Sequence, residues 1–291
     1  MDRFTSIMLF AGVGCFVFAF LLSGLYPYLI TDAKHQEATI AEVAFDVTSE
    51  FKQLGEAYPV AFAAQFPDQA RRALTTRALA GIPAGDPRIE DSEKAWREAH
   101  TLALQLGRDL YVGDACWHCH SQYIRPVANE EIRWGPPRTA AEENNALQRP
   151  VLFGTRRVGP DLTREGGLRS NDWHLAHLEN PRSTSPGSVM PGYTWYFREG
   201  WQVFRRIDPR KADINDLDPG TAYPYPGVYD TEEEATEAME RVRANIDPTL
   251  ASEGERLFVG ESKGPDGRAL SLVSYLQWLG TWSPKPTASE E

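Results

Sequence analysis

Two cysteines and a histidine within five residues form the strongest chemical feature of the sequence. Cys116, Cys119 and His120 make a C-x-x-C-H motif, the pattern at which c-type haem is attached. Two thiols about one helical turn apart can add to the two vinyl groups on one edge of a porphyrin. The adjacent histidine can then bind the iron. The motif therefore predicts one covalent haem c, with His120 as an iron ligand.

Other chemistries can use the same pair of cysteines. A thiol redox centre needs only C-x-x-C, and it stays open as an alternative. A zinc site would need a second pair of Cys or His ligands, but the remaining cysteine, Cys15, lies in an apolar run and is most simply a packing residue. Three cysteines do not make a disulfide framework. We assign no role to His118, which lies between the two motif cysteines.

The iron needs a sixth ligand, for which Met190 is the first candidate. It begins a Met-Pro-Gly sequence, so its thioether would be carried on a stiff loop. Ligation by Met and His raises the reduction potential of a haem. His177 is the main rival ligand, with His174 close by. Met239 lies in an acidic, helix-like run and is expected to pack or to face solvent.

A Gly-Pro-Asp-Leu sequence at 159–162 is expected to support the histidine ligand. In c-type folds a G-P-x-L segment passes behind this histidine, and a backbone carbonyl there accepts a hydrogen bond from the ring N–H. Bonds of this kind fix the ring and tune the metal. Pro160 is therefore predicted to belong to the haem site.

The first thirty residues are predicted to cross a membrane. No side chain from Phe4 to Thr31 is charged, and about 20 apolar residues span a bilayer as a helix. Tyr26 and Tyr28 lie at the far end, where aromatic rings favour the interface. A cleaved signal peptide is the alternative, but its apolar region would be only about 7–15 residues long. We expect an uncleaved single-pass anchor in a bacterial inner membrane. The haem domain would lie in the periplasm, because haem is attached to C-x-x-C-H on that side.

The chain is acidic, with 30 Lys and Arg against 41 Asp and Glu and a net charge of −11. This balance excludes nucleic acid as a partner, because no basic face is present to neutralise phosphates. The acidic surface could steer a basic electron carrier, although such an excess more often serves solubility alone. No nucleophile–base pair, phosphate loop or paired-carboxylate site is evident. We therefore predict no catalytic residue, and the isolated chain is not expected to be a catalyst.

The hydrophobic pattern predicts an all-α fold with little or no sheet. A first helix is expected over 99–111, with Gly107 and Tyr111 on one face. A last, amphipathic helix is expected over 272–279, ended by Gly280. Small monohaem cytochromes pack two such helices across each other. The expected architecture is one transmembrane helix plus a class I-like cytochrome c domain with a helical insertion.

Three domains are expected: the anchor at 1–35, the helical insertion at 36–98 and the monohaem domain at 99–291. The insertion reads as three helices, over 40–54, over 68–82 and from Asp91 onward. Residues 198–230 are rich in Pro, Tyr and Asp and are expected to form an irregular surface loop.

Several segments together are more specific than C-x-x-C-H. These are GRDLYVGDACWHCHSQYIRP (107–126), TRRVGPDLTREGGLRSNDWHLAHLENPRS (155–183), SVMPGYTWY (188–196) and SLVSYLQWLGT (271–281). With them, the chain resembles the monohaem subunit (subunit II) of cbb3-type haem–copper cytochrome c oxidases. The resemblance covers about residues 99–283 with interruptions. The anchor also stands where this family has one.

The resemblance implies a subunit of a respiratory complex. Such a subunit takes electrons from a dihaem subunit or a soluble cytochrome c, and it passes them to a large haem–copper membrane subunit that reduces oxygen. By similarity, Arg125 and Arg157 would lie near the haem propionates, although an arginine beside Glu or Asp can equally form a plain salt bridge. Residues 36–98 depart from the family, which has only a short linker there.

Two other functions remain open at this point. The small cytochrome c subunit of a nitric oxide reductase shares the anchor and the haem arrangement, but it is not expected to have the His-Ser-Gln-x-Ile-Arg-Pro or Met-Pro-Gly-Tyr sequences. A free-standing, membrane-tethered electron carrier should have a flexible linker after its anchor. Residues 36–98 read as helical instead.

Overall fold

The computed structural model describes residues 3–34, 37–206, 222–224, 228–244 and 257–282. The chain begins with α1 (Arg3–Phe20), a π-helical stretch (Leu21–Leu25) and α2 (Tyr26–Lys34). The wider π-helical turn directly precedes Pro27, which lacks an N–H and crowds the turn before it. Within the described residues one helix, Arg3–Ile30, is long and apolar enough to cross a membrane, and it has no buried part. It suggests a single-pass membrane anchor.

The insertion consists of short helices. They are α3 (Ile40–Val43), α4 (Ser49–Ala57), α5 (Pro59–Gln65), α6 (Pro67–Ala70) and α7 (Thr76–Ala80). The prediction of one continuous helix over 40–54 is wrong. The helix is divided because the Thr48 hydroxyl accepts a hydrogen bond from Phe51 N–H and so begins a new helix. The helix expected over 68–82 is likewise divided, since Thr75 caps α7 in the same way.

A long helix, α8 (Pro87–Gly113), leads from the insertion into the C-x-x-C-H motif. The Asp86 side chain caps its first turn, where Pro87 is the first residue. Short elements follow: α9 (Cys116–Cys119), α10 (Glu130–Trp134), α11 (Ala140–Glu143), α12 (Asn171–Glu179), α13 (Pro181–Thr184) and a 3-10 turn (Thr194–Tyr196). Most of the chain between the motif and this turn is therefore loop.

The described residues contain little sheet, as expected, in the form of one small antiparallel sheet. Its strands, in the order β2-β1-β3, are β1 (Phe197–Arg206), β2 (Ala222–Pro224) and β3 (Leu257–Pro265). The prediction of an irregular loop over 198–230 is wrong for the residues in β1 and β2, while 207–221 and 225–227 lie outside the described residues. Helices still dominate the structure, so the all-α class is confirmed.

The sheet is covered by one further helix, α14 (Glu232–Ala244). Ala238 of this helix packs with Val203 and Leu257 of the sheet in a small apolar cluster. Met239 is partly buried against the same cluster. Met239 therefore packs against this cluster, which is one of the two roles predicted for it.

The last helix, α15 (Gly267–Trp278), crosses α8 at close range. A Cβ at Gly107 would lie 2.2 Å from a backbone oxygen of α15 and 2.6 Å from Tyr275 Cβ, so the crossing admits only glycine. The rings of Tyr111 and Tyr275 pack beside it, with centroids 5.7 Å apart. The predicted packing of the first helix on the last is confirmed. Gly280, with φ +81°, lies just after α15.

One hydrophobic cluster joins the insertion to the rest of the chain. Phe51, Phe62 and Trp96 belong to it together with Leu270 of α15. The Trp278 indole also donates a hydrogen bond to an insertion carbonyl over 3.3 Å. The proposed boundary between 98 and 99 falls inside α8. The domain division stays a prediction, while the described side chains on both sides of this boundary share one core.

Candidate haem-binding site

A cavity of about 490 Å³ opens beside the C-x-x-C-H turn. Its volume lies in the range of cofactor pockets, about 300–1,000 Å³. Its walls include Cys116, Cys119, His120, Pro160, His174, His177 and Met190. The fold thus brings to one cavity the candidate residues for haem attachment and for both axial positions, although they lie far apart in the sequence.

The C-x-x-C-H motif forms a single helical turn directly after α8. Ala115 adopts a left-handed conformation, φ +59°, between the two helices. The His120 N–H donates to the Cys116 carbonyl over 2.9 Å. The Cys116 thiol is buried, 3.8 Å from the Tyr193 hydroxyl, whereas Cys119 is exposed. Both thiols therefore lie on one turn at the cavity wall.

The His120 ring is held by the Gly-Pro-Asp-Leu loop. Its Nδ1 lies 3.1 Å from the Pro160 carbonyl oxygen, which leaves Nε2 as the nitrogen available to a metal. The Tyr111 hydroxyl donates to the backbone carbonyl of His120. Burial lowers the pKa of His120, although the bond to Pro160 opposes this shift. The ring is therefore kept in the neutral form that binds metals.

Gly159 stands directly against this ring. A Cβ at this position would lie 2.2 Å from Cε1 and 2.6 Å from Nδ1 of His120. The Gly159 N–H also donates to the Cys119 carbonyl over 3.2 Å. The loop can therefore neither carry a side chain here nor move away without losing a contact with the motif.

Asp161 is buried and ties this loop to the chain that follows the motif. Its carboxylate accepts hydrogen bonds from the Ser121 hydroxyl (2.6 Å), Tyr123 N–H (2.9 Å) and Thr163 N–H (2.8 Å). Hydrogen bonds to an ionised acceptor are about twice as strong as neutral ones. Asp161 thus fixes the carbonyl behind the histidine relative to the histidine itself.

Gln122 anchors the same segment to the helix crossing. It is 1% exposed, and its side-chain oxygen accepts a hydrogen bond from the Tyr275 hydroxyl over 2.9 Å. The His-Ser-Gln sequence was expected to be specific, but no role was predicted for Ser121, Gln122 or Asp161. The available signals were the position of Ser121 and Gln122 directly after the candidate ligand His120 and the position of Asp161 within the Gly-Pro-Asp-Leu sequence.

Met190 lines the cavity on the loop between α13 and the 3-10 turn. Its N–H donates to the Ser188 hydroxyl over 3.2 Å, and its side chain is partly buried against the main core. Farther along this loop, Tyr193 is buried and donates its N–H to the Leu178 carbonyl over 2.7 Å. The loop is therefore anchored on both sides of the thioether, and Met190 stays the first candidate for the sixth ligand.

The two rival histidines lie on α12. The His177 ring stacks on Trp173, with centroids 4.6 Å apart, and its Nδ1 lies 2.6 Å from the Thr184 hydroxyl. These contacts hold His177 in place, so it is less free than a loop methionine to turn toward an iron. His174 is buried, and burial lowers its pKa to about 4.

The arginines expected at the propionates both contact Glu130. Arg125 Nη2 lies 2.6 Å from Oε1, and Arg157 pairs with the other carboxylate oxygen. Burial raises the pKa of Glu130, but hydrogen bonds from the two arginines outweigh this and lower it to about 2. Neither arginine is among the described residues that line the cavity. Their assignment to the propionates stays a prediction.

The residues around the cavity fit a haem. Leu162, Leu272 and Leu276 give it apolar walls, and Gly159 leaves a flat surface beside the His120 ring. His174 Nε2 is buried without a hydrogen-bond partner among the described residues, as expected where a polar group of a cofactor belongs.

The N-terminal apolar helix, the crossed helices and the cavity with a C-x-x-C-H turn in its wall are together typical of membrane-anchored, cytochrome c-like proteins. The family model described as "Cytochrome C oxidase, mono-heme subunit/FixO" matches residues 88–282, more than half of the chain, and the chain belongs to this family. It is thus a single-haem subunit of cytochrome c oxidase, a membrane redox complex. The match begins within α8, so α3–α7 lie outside it. A comparison with curated proteins found no match.

Proposed function

We propose that this chain is the membrane-anchored haem c subunit of a cbb3-type haem–copper oxidase. It passes electrons from a donor cytochrome to the catalytic subunit, where oxygen is reduced. The observation that carries the proposal is that Cys116, Cys119, His120 and Met190 line one cavity in a chain of the cytochrome c oxidase monohaem family.

Four residues hold the haem in this proposal. Cys116 and Cys119 would form the thioether bonds, and His120 and Met190 would be the iron ligands. A bound haem iron supplies a one-electron couple. With two side chains as iron ligands, the haem would have no place for a substrate. This chain therefore transfers electrons and leaves the chemistry of oxygen to its partner.

Electron exchange requires that partners can approach an edge of the cavity. Val158 and Val189 line the cavity and are 56% and 74% exposed, and Cys119 is exposed beside them in the wall. Exposed apolar residues around a site are typical of protein docking. The proposed partners are the haem–copper membrane subunit and a dihaem or soluble cytochrome c donor. The anchor lies in a bacterial inner membrane, with the haem domain in the periplasm.

The proposal is tested by purifying the tagged chain in mild detergent and recording a reduced-minus-oxidised visible spectrum. Bands of haem c together with haem b, and oxygen consumption by the same preparation, are expected. Nitric oxide consumption without oxygen consumption would assign the chain to a nitric oxide reductase instead. Haem c bands alone, from an intact preparation, would make it a free-standing tethered carrier.

A further inference from the structure

The cavity has to accommodate the charge of a haem as well as its shape. A haem carries two propionate carboxylates, and a carboxylate leaving water needs hydrogen-bond donors or a cation. Arg169 is the one arginine or lysine among the described residues that line the cavity. Arg125 and Arg157 do not line it, because both are turned to Glu130.

Arg169 is already oriented by a buried acid. Its Nη1 donates to both oxygens of Glu165, over 2.5 and 2.7 Å, and its guanidinium lies over the Trp173 ring at 4.6 Å from the centroid. Glu165 is 3% exposed, whereas the Arg169 side chain keeps about a third of its surface open. A guanidinium carries five N–H donors in a rigid fork. Glu165 occupies those of one nitrogen, so the rest of the fork can serve a second carboxylate.

His174 offers a second donor at the same wall. It is 4% exposed, and its Nε2 has no hydrogen-bond partner among the described residues. The nearest carboxylate oxygen recorded, on Glu165, is 3.6 Å away and thus too far for a hydrogen bond. A buried ring nitrogen without a hydrogen-bond partner destabilises the folded protein. A ligand oxygen would satisfy it.

We propose that Arg169 and His174 bind a propionate of the haem, with Glu165 as the positioning residue for Arg169. This assignment rests on the proposed function, since it requires a haem in the cavity. It gives a role to three polar residues, on α12 or in the loop before it, that neither hold the iron nor form the helix crossing. It also explains why the cavity wall carries a paired acid and arginine beside apolar side chains.

The test compares Arg169→Gln with the control Arg71→Gln in the full chain, purified with its partners in mild detergent. Arg71 is an exposed arginine of the insertion that does not line the cavity. Resonance Raman spectra report the propionate bending bands, and a potentiometric titration reports the haem c reduction potential. Arg169→Gln is expected to shift the propionate bands and to lower the potential, because a cation beside the haem favours the reduced state. Arg71→Gln is expected to change neither.

A conservative variant keeps the test informative if Arg169→Gln does not accumulate. Arg169→Lys retains the charge but loses the fork, so it should shift the propionate bands and largely preserve the potential. Unchanged bands in both Arg169 variants, or an equal shift in Arg71→Gln, would overturn the assignment alone. A wild-type chain that carries no haem would overturn the proposed function as well, so the two failures are distinguishable.

Discussion

Gly159→Ala is expected to displace His120, the proposed iron ligand. The added Cβ would lie 2.2 Å from Cε1 of His120, about 1.2 Å short of the 3.4 Å at which ordinary contact begins. Either the ring moves and its 3.1 Å bond to the Pro160 carbonyl is lost, or the loop moves and the Gly159 N–H leaves the Cys119 carbonyl. Overpacking of this kind typically costs about 1–3 kcal/mol of stability.

The assay measures haem content, the visible spectrum and denaturant unfolding of the full chain in mild detergent. We expect less covalent haem, loss of the six-coordinate low-spin spectrum, and an unfolding midpoint at lower denaturant. Gly113→Ala is the control. Gly113 ends α8 with no atom within 4 Å of an added Cβ, and alanine is the better helix former by up to about 1 kcal/mol. A Gly159→Ala variant with normal haem content and spectrum would refute the proposed contact between Gly159 and the ligand.

Four further changes have directions that follow from the structure. Gly107→Ala should lower the free energy of unfolding by at least about 1 kcal/mol, measured with denaturant, because overpacking at the α8–α15 crossing exceeds the gain in helix propensity. Met190→Ala should lower the haem potential and let carbon monoxide bind the reduced protein; unchanged carbon monoxide reactivity would remove Met190 as the ligand. Asp161→Asn should raise the potential in a redox titration, because a buried carboxylate near the haem motif is replaced by a neutral amide; an unchanged potential would contradict this. Glu130→Gln should make the free energy of unfolding less sensitive to acid. Although burial raises the pKa of Glu130, the hydrogen bonds from the arginines lower it to about 2, against about 4.3 in the unfolded chain. Its contribution to stability is therefore complete above about pH 4.3 and is lost as the pH falls toward 2. Denaturant unfolding at pH 7 and pH 3 measures this, and an equal loss of stability in wild type and variant would contradict it.

Features written in a few neighbouring residues could be predicted from the sequence. The anchor follows from an uninterrupted apolar run, and the helix crossing follows from Gly107 and Tyr111 being one turn apart. The hydrogen bond behind His120 follows from the Gly-Pro-Asp-Leu pattern. The first two depend on local spacing, which fixes which side chains share a face, whereas the bond behind His120 was expected from what a G-P-x-L segment does in c-type folds.

Features that depend on which of several partners a residue or strand contacts could not be predicted from the sequence. For Arg125 and Arg157 the sequence left open whether each lies near a haem propionate or forms a salt bridge. Both contact Glu130, a pairing that the spacing of charges does not reveal, and their assignment to the propionates stays a prediction. The sheet pairs β1 with β3 across more than fifty residues, so no short window contains the pattern. The insertion helices were expected to be longer because apolar periodicity continued through Thr48 and Thr75, whose hydroxyls begin new helices.

Whether this chain carries one covalent haem at the C-x-x-C-H turn can be read from the intact mass of the denatured chain. We expect the mass of the polypeptide plus one haem, still attached after denaturation. We also expect this increment to be lost in the double variant Cys116→Ser, Cys119→Ser. A denatured wild-type chain with the mass of the polypeptide alone would contradict covalent attachment, and a double variant that keeps the haem would contradict attachment at these two cysteines.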